Sequence, residues 1–128
     1  MTSVDQRLRK KERLAGPADF RRCYRHGKRL RNACFTVYAY HRGQAETRLG
    51  LAVGKTVGTA VIRNRVKRRL RELFRRHKAL LPAGYDLFVR AAPTSAAVQY
   101  RELENAWFEM MAAVRQEAIR GGGTRGQL

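Results

Sequence analysis

Apolar residues between positions 59 and 80 recur at the spacing of an amphipathic helix. At about 100° per residue, five apolar side chains of this segment fall within an arc of about 120° and form one stripe. They are Ile62, Val66, Leu70, Leu73 and Phe74. Most other positions of the segment are Lys or Arg. The pattern therefore predicts a helix over residues 59–80 that packs on a core and presents cations to solvent. The Pro-Ala-Gly sequence at residues 82–84 ends it.

Three short segments have the apolar content and alternation of β-strands. They are residues 34–41, 47–54 and 85–91. Within the first, we expect Phe35 and Val37 in the core and Tyr38 on the opposite face. The segment 43–46 contains a glycine and lies between the first two strands, so it predicts the turn of a hairpin.

Two further helices complete the pattern. Pro17 is suited to a first helical turn, and Gly27 ends the short helix that follows. The last helix should begin at Ser95 or Tyr100 and end at Ile119. Its apolar face carries Leu103, Trp107, Met110 and Val114. We expect Trp107 to anchor packing rather than to bind a ligand.

The element order α-β-β-α-β-α predicts a single-domain α-β sandwich of the α+β class. A length of 128 residues suits one domain, and 44% hydrophobic residues suffice for a modest core. We expect the domain to span residues 17–119. A basic, flexible N-terminal segment, residues 1–16, should precede it, and a disordered tail, residues 120–128, should follow.

The charge of the chain predicts a polyanionic partner. There are 28 Lys+Arg against 10 Asp+Glu, for a formal net charge of +18, and most of the cations are Arg. Guanidinium groups bind phosphates bidentately, which favours nucleic acid over diffuse attraction to a membrane. Four glutamates cluster in the last helix, so the polyanion should meet one side of the molecule. No apolar run could span a bilayer and no secretory signal is evident, so we expect a cytoplasmic protein.

The sequence offers no catalytic machinery of its own. Gly54-Lys55-Thr56 resembles the end of a P-loop, but that motif requires glycine where Leu49 stands. Neither paired acids nor a Ser/His/Asp arrangement indicates a hydrolase. The histidines lack zinc-site spacing. Cys23 and Cys34 do not form a C-x-x-C pair, and we expect both to be reduced and buried. We therefore expect no catalytic residue and no metal site in the protein.

The run from residue 57 to residue 71 is the most specific motif in the chain. It contains Arg63-Asn64-Arg65 and continues with Lys67, Arg68, Arg69 and Arg71. It resembles the Arg-Asn-Arg motif of the bacterial ribonuclease P protein subunit. The resemblance extends upstream through residues 49–55 and to the region of Phe20, and it covers roughly residues 8–115. Members of that family often carry a basic pair after the third strand, where this chain has Arg90 followed by two alanines.

The resemblance implies a function in tRNA maturation. In that family the catalytic subunit is RNA, which cleaves precursor tRNA with bound Mg²⁺ and releases the 5′ leader. The protein binds both the catalytic RNA and the leader. The implied partners are thus ribonuclease P RNA, with one protein per RNA, and precursor tRNA, with Mg²⁺ held mainly by the RNA subunit. The implied fold contains a left-handed β-α-β crossover, against the usual rule.

Two candidate binding surfaces follow from the resemblance. The first is the basic helix, which would neutralise phosphates of the RNA subunit. Its residues are Lys55, Arg63, Asn64, Arg65, Lys67, Arg68, Arg69 and Arg71. The alternative for the cations is a solvated surface, and the alternative for Asn64 is a hydrogen bond to the helix's own first turn.

The second candidate surface is a cleft between the first helix and the sheet. Phe20, Tyr24 and Tyr38 would stack leader bases there, and Arg90 would lie at its end. Phe20 and Tyr24 recur at helical spacing, so their alternative role is in the core.

Two other functions compete on composition alone. The first is a ribosomal or general RNA-binding protein without an associated reaction. The second is a helix-turn-helix regulator, which is disfavoured because strands, rather than a short helix and turn, precede the basic helix.

Overall fold

The structure is a computed structural model that describes residues 10–14, 16–43 and 46–120. In chain order, its helices and strands are α1 (Pro17–His26), β1 (Lys28–Arg31), β2 (Phe35–His41), β3 (Arg48–Ala52), α2 (Ala60–His77), β4 (Tyr85–Ala91), α3 (Thr94–Ala97) and α4 (Tyr100–Arg120). Short 3₁₀ turns occupy Lys10–Glu12, Lys55–Val57 and Lys78–Leu80. The α+β class is confirmed.

The four strands form one sheet in the order β1-β2-β4-β3. Strand β4 is antiparallel to β2 and parallel to β3, so it lies between them. The predicted hairpin between the second and third strands, β2 and β3, is therefore wrong. The backbone N–H groups of Arg42 and Gly43 instead donate to Gly84 O, which joins the end of β2 to the start of β4. Gln44 and Ala45, in the predicted turn, lie outside the described residues.

Strand β1 is an element that the sequence pattern did not predict. It pairs antiparallel with β2, and the true hairpin is the one between these two strands. Asn32 stabilises the connection because its side-chain oxygen accepts from the backbone N–H groups of Cys34 and Phe35 at 2.9 and 3.1 Å. Its amide nitrogen donates to Ala106 O of α4 at 3.0 Å. The observed order is therefore α-β-β-β-α-β-α-α.

The sheet separates two buried apolar clusters among the described residues. One face packs against α2 and α4, and its cluster includes Phe35, Val37 and Trp107, as predicted. The other face packs against α1 and carries a smaller cluster. Its buried members are Leu14, Cys23, Tyr38 and Phe88. Cys23 and Cys34 are both free and buried, as expected.

Helix α2 connects the parallel strands β3 and β4, so the chain contains the expected β-α-β unit. The left-handedness of this connection stays a prediction from the resemblance.

Residues 10–14 pack on the domain, although they belong to the segment predicted to be flexible. The N–H of Leu14 donates to Leu49 O at 3.0 Å, and Lys78 Nζ lies 2.9 Å from Glu12 Oε1. Close packing therefore begins before residue 17. The predictions for residues 1–9 and 121–128 lie outside the described residues.

Candidate RNA interface

The N-terminus of α2 presents the Arg-Asn-Arg motif on an ordered first turn. Thr59 is the N-cap, and its side-chain oxygen accepts from Ile62 N at 3.4 Å. Because Thr59 caps the helix, Asn64 is not needed for that role, and its side chain is exposed. Arg63 and Arg65 are half-buried, which fixes the stems of their side chains along the helix.

Most cations of α2 lack an acidic partner. In the described part of the chain, no ion pair involves Arg63, Arg65, Lys67, Arg68 or Arg71. Further along the helix, Arg75 pairs with Glu72 at 2.6 Å and His77 with Glu104 at 3.2 Å. The uncompensated charge is therefore concentrated in the N-terminal three turns. A surface of this kind attracts phosphates and loses affinity as salt rises.

The cations of α2 point to two sides of the helix. Arg69 lies over the ring of Tyr100, with its guanidinium carbon 6.0 Å from the ring centroid, so it faces the start of α4. Lys67 and Arg71 face the other way, toward β3. They line a pocket of about 190 Å³ together with Arg13 and Phe20.

That pocket joins two sets of residues that the sequence analysis kept apart. Phe20 belongs to the predicted cleft, and Lys67 and Arg71 belong to the basic helix, yet all three line one depression beside β3. A single RNA strand could therefore contact both surfaces without leaving the protein.

The aromatic residues of the predicted cleft form a row of rings between α1 and the sheet. Phe20 stacks on Phe88 with ring centroids 5.1 Å apart and planes inclined by 12°. The ring centroid of Tyr38 is 5.9 Å from that of Phe88 and 5.1 Å from that of Tyr24. Tyr24 is 54% exposed and Phe20 is half-buried. Tyr38 and Phe88 are 6% and 8% exposed, so they form the floor of the cleft.

Arg90 lies against the two tyrosine rings of this row. Its guanidinium carbon is 5.7 Å from the ring centroid of Tyr24 and 5.9 Å from that of Tyr38. Cation–π contacts of this length hold the charge over the rings while leaving its hydrogen-bond donors available. The cleft thus combines aromatic faces with a cation that can bind a phosphate.

Phe88 is a cleft residue that sequence reasoning missed. Residues two apart on a strand share a face, so the assignment of Arg90 to the cleft already placed Phe88 there. Gly50 was missed as well. A Cβ at that position would lie 2.6 Å from Leu14 Cδ1 and 2.7 Å from Phe20 Cε1. The absence of a side chain at Gly50 therefore allows Phe20 to pack against the sheet.

A buried ion-pair network fixes α1 on the sheet. Asp86 of β4 is fully buried, and its carboxylate accepts from Arg42 Nε and from both Nε and a terminal nitrogen of Arg48, each at 2.9 Å. Arg48 also reaches Asp19 at 3.3 Å, and Asp19 pairs with Arg22 at 2.9 Å. The hydrogen bond with Asp86 raises the pKa of the Arg48 guanidinium above its usual value. Since Phe20 follows Asp19, the network positions the cleft's first aromatic ring.

We searched the described residues for side chains that could hold a metal ion. Among the described residues, no group of three or more His, Cys, Asp or Glu is placed to hold a metal ion. The described side chains therefore do not fit a protein-held Mg²⁺. Burial raises the pKa of the Cys23 thiol to about 12, which disfavours a nucleophilic thiolate. In the same part of the chain, no helix has the length and apolar character to cross a membrane.

The fold and the two surfaces define a class of protein: a small basic α+β sandwich with a cationic helix beside an aromatic cleft. The comparison with protein families is more specific. The Ribonuclease P family matches residues 8–115, and the chain belongs to that family. It is accordingly a protein component associated with an endoribonuclease.

Relatives of known name agree with this assignment. The chain is 40% identical to the ribonuclease P protein component of Thermobifida fusca over 104 residues, covering 75% of this chain and 71% of that protein. It is 36% identical to that of Streptomyces avermitilis over 134 residues, covering 98% and 100%. The solved RNase P protein from Thermotoga maritima matches with a TM-score of 0.72 at 32% identity, covering 78% of this chain and 94% of that one.

Proposed function

We propose that this chain is the protein subunit of ribonuclease P. It binds the catalytic RNA and the 5′ leader of precursor tRNA, and the RNA removes the leader to give the mature tRNA 5′ end. The observation that carries the proposal is the position of Phe20, between the aromatic row and the unpaired cations Lys67 and Arg71, in a member of this family. We place one protein on each RNA, in the cytoplasm.

The basic helix α2 is the surface for the RNA subunit. Its exposed cations have no acidic partner in the described chain, so binding RNA phosphates breaks no existing ion pair. Arg68 and Arg71 are exposed, and Asn64, about one turn before Arg68 on the same side of the helix, adds a neutral hydrogen-bonding group. Lys55, exposed in the turn that follows β3, extends the cationic surface. Phosphate contacts of this kind supply affinity with little dependence on base sequence.

The aromatic cleft is the surface for the leader. Tyr24 is 54% exposed and Phe20 is half-buried, and both lie above the floor made by Tyr38 and Phe88. Base–aromatic stacking tolerates every base, because each has a π-face. A subunit that serves many precursor tRNAs needs such tolerance, since their leaders differ in sequence.

The chemistry belongs to the RNA in this proposal. The protein's side chains bind and orient RNA, and Mg²⁺, held mainly by the RNA subunit, supplies Lewis-acid activation of the phosphodiester. What the protein contributes is positive charge that offsets phosphate repulsion near the metal sites and a fixed path for the leader.

Replacement of Phe20 by Ala tests the leader-binding role. Loss of one stacked base costs about 1–3 kcal/mol, so the holoenzyme should bind precursor tRNA roughly five- to a hundredfold more weakly. Mature tRNA, which lacks a leader, should bind almost as before, and assembly with the RNA subunit should be unchanged. The measurement is equilibrium binding of both tRNAs to the reconstituted holoenzyme.

A matched control is Phe108→Ala, because Phe108 is also a partly exposed helical aromatic, 39% exposed, but lies on α4. This control should not change the ratio of the two affinities. Thermal melting of each variant must accompany the assay, because Phe20 also packs on Phe88. Equal losses for precursor and mature tRNA, with a large drop in melting temperature, would assign Phe20 to the core instead.

A further inference from the structure

The register of the sheet extends the aromatic row to the edge strand β1. Arg29 is the Cα partner of Tyr38, which is in turn the partner of Phe88. Side chains of directly paired residues point to the same face of a sheet. Arg29 therefore continues the row of Phe88 and Tyr38 on the face covered by α1, at the edge farthest from β3.

A second row runs beside the first, two residues further along the strands. Arg31 is the partner of Thr36, and Thr36 is the partner of Arg90. These three side chains point to the same face as the aromatic row. Arg31 and Arg90 of this second row, together with Arg29 at the end of the first row, are here called the cationic strip. Neighbouring strands are about 4.8 Å apart, so the strip spans about 10 Å from β4 to β1.

The cationic strip is open and uncompensated. All three arginines are exposed, and none forms an ion pair with a carboxylate in the described residues. Arg31 also borders a pocket between β1 and α4 that includes Glu109, but the two side chains are not paired. The glutamates of α4 lie beyond the opposite face of the sheet. Three guanidinium groups beside aromatic rings are suited to a nucleic-acid strand that has bases on one side and phosphates on the other.

We propose that the leader crosses the sheet at right angles to the strands and leaves the protein over the β1 edge. Its bases lie along the aromatic row, and its phosphates lie along the cationic strip. The inference rests on the proposed function, because it concerns the path of the leader. Phe20 and Arg90 then contact the nucleotides nearer the cleavage site, whereas Arg29 and Arg31 contact nucleotides further along the leader. The β1 arginines therefore matter only for leaders long enough to reach them.

Dependence on leader length is the test. Holoenzyme carrying Arg29→Ala and Arg31→Ala together is compared with wild type, using precursor tRNAs with leaders of about two and about ten nucleotides. With the long leader, each lost contact should weaken binding about two- to fivefold. The salt dependence of long-leader binding should flatten by about 1.4 log–log units, at about 0.7 per phosphate of a single strand. With the short leader, the double variant should match wild type.

Lys28→Ala is the matched control, since it removes a charge from the same strand but from the opposite face of the sheet. It should bind both precursors as wild type does. A variant with Lys at positions 29 and 31 should keep most of the long-leader affinity. Equal losses for both leader lengths, no loss for either, or the same loss in Lys28→Ala would overturn the path over β1.

Failure of this inference is distinct from failure of the proposed function. Suppose that wild-type holoenzyme binds long-leader precursor more tightly than mature tRNA and that the double variant has the same preference. Then only the path over β1 is wrong. If wild-type binding ignores the leader altogether, the leader-binding function itself is wrong.

Discussion

Removing the negative charge of Asp86 should destabilise the protein more than any single charge removal at its surface. Asp86 is fully buried and holds two guanidinium groups, those of Arg42 and Arg48, through three hydrogen bonds of 2.9 Å. Asp86→Asn keeps the shape of the side chain but leaves Arg42 without a carboxylate partner and leaves Arg48 with only the longer contact to Asp19, at 3.3 Å. Breaking a buried pair in this way costs about 3–5 kcal/mol.

The solvent exposure of the two arginines decides how large the loss of stability is within that range. Their side chains are 18% and 16% exposed, so they recover part of their hydration when the carboxylate is lost. We therefore expect the lower end, about 3 kcal/mol of the free energy of unfolding, or about 12 °C of melting temperature at roughly 4 °C per kcal/mol. The assay is thermal and urea unfolding of RNA-free protein, followed by circular dichroism.

Glu72→Gln is the control for this experiment. Glu72 pairs with Arg75 at 2.6 Å, but the two side chains are 42% and 32% exposed, so water screens the pair and we expect a loss below about 1 kcal/mol. If Asp86→Asn costs no more than Glu72→Gln, the buried network does not stabilise the fold, and the explanation for the placement of α1 is wrong.

Two further predictions concern the basic helix and the thiol. Replacing Arg65 and Arg68 with Ala should flatten the log–log salt dependence of binding to the RNA subunit by about one to two units, measured over a salt series. An unchanged slope would mean that the helix is only solvated. Because burial raises the pKa of Cys23 to about 12, its thiolate is scarce at neutral pH, and a thiol reagent should label it far more slowly in native than in unfolded protein. Equal labelling rates, read by mass spectrometry, would contradict this.

Local patterns were sufficient to predict the elements with strong periodicity. The stripe of Val66, Leu70 and Leu73 fixed α2, and the apolar run of β4 agreed with the structure from Tyr85 to Ala91. Strand β1 was missed because three of its four residues are Lys or Arg, and only Leu30 packs against the core. Its strand conformation comes from pairing with β2, which is information that the segment itself does not contain.

Pairing between distant segments explains the other error. The hairpin between β2 and β3 was inferred from their closeness in sequence and an intervening glycine. In the fold, β4 is inserted between them, because the crossover through α2 returns the chain to the middle of the sheet. Distant segments also meet where Asp86 pairs with Arg48, and where Arg13 and Lys67 line the same pocket.

Parts of the candidate site that lie on one element were predictable from the sequence, whereas parts that distant segments form together were not. The cations of α2 belong to one helix, so their positions around it follow from helical spacing alone. The aromatic cleft needed α1, β2 and β4 to be placed together, and the resemblance to the family supplied Phe20, Tyr24 and Tyr38 but not Phe88. The cationic strip depends on the register of β1, and so only the structure indicates it.

Cleavage of precursor tRNA by separated and recombined components tests the central claim most directly. Rigorously RNA-free protein with Mg²⁺ should give no specific product. Ribonuclease P RNA alone should be slow at low Mg²⁺, and adding the protein should restore cleavage at the junction between leader and mature tRNA. Specific cleavage by the protein alone would contradict RNA catalysis. Cleavage by the RNA that is equally fast with and without the protein would contradict the function proposed for this chain.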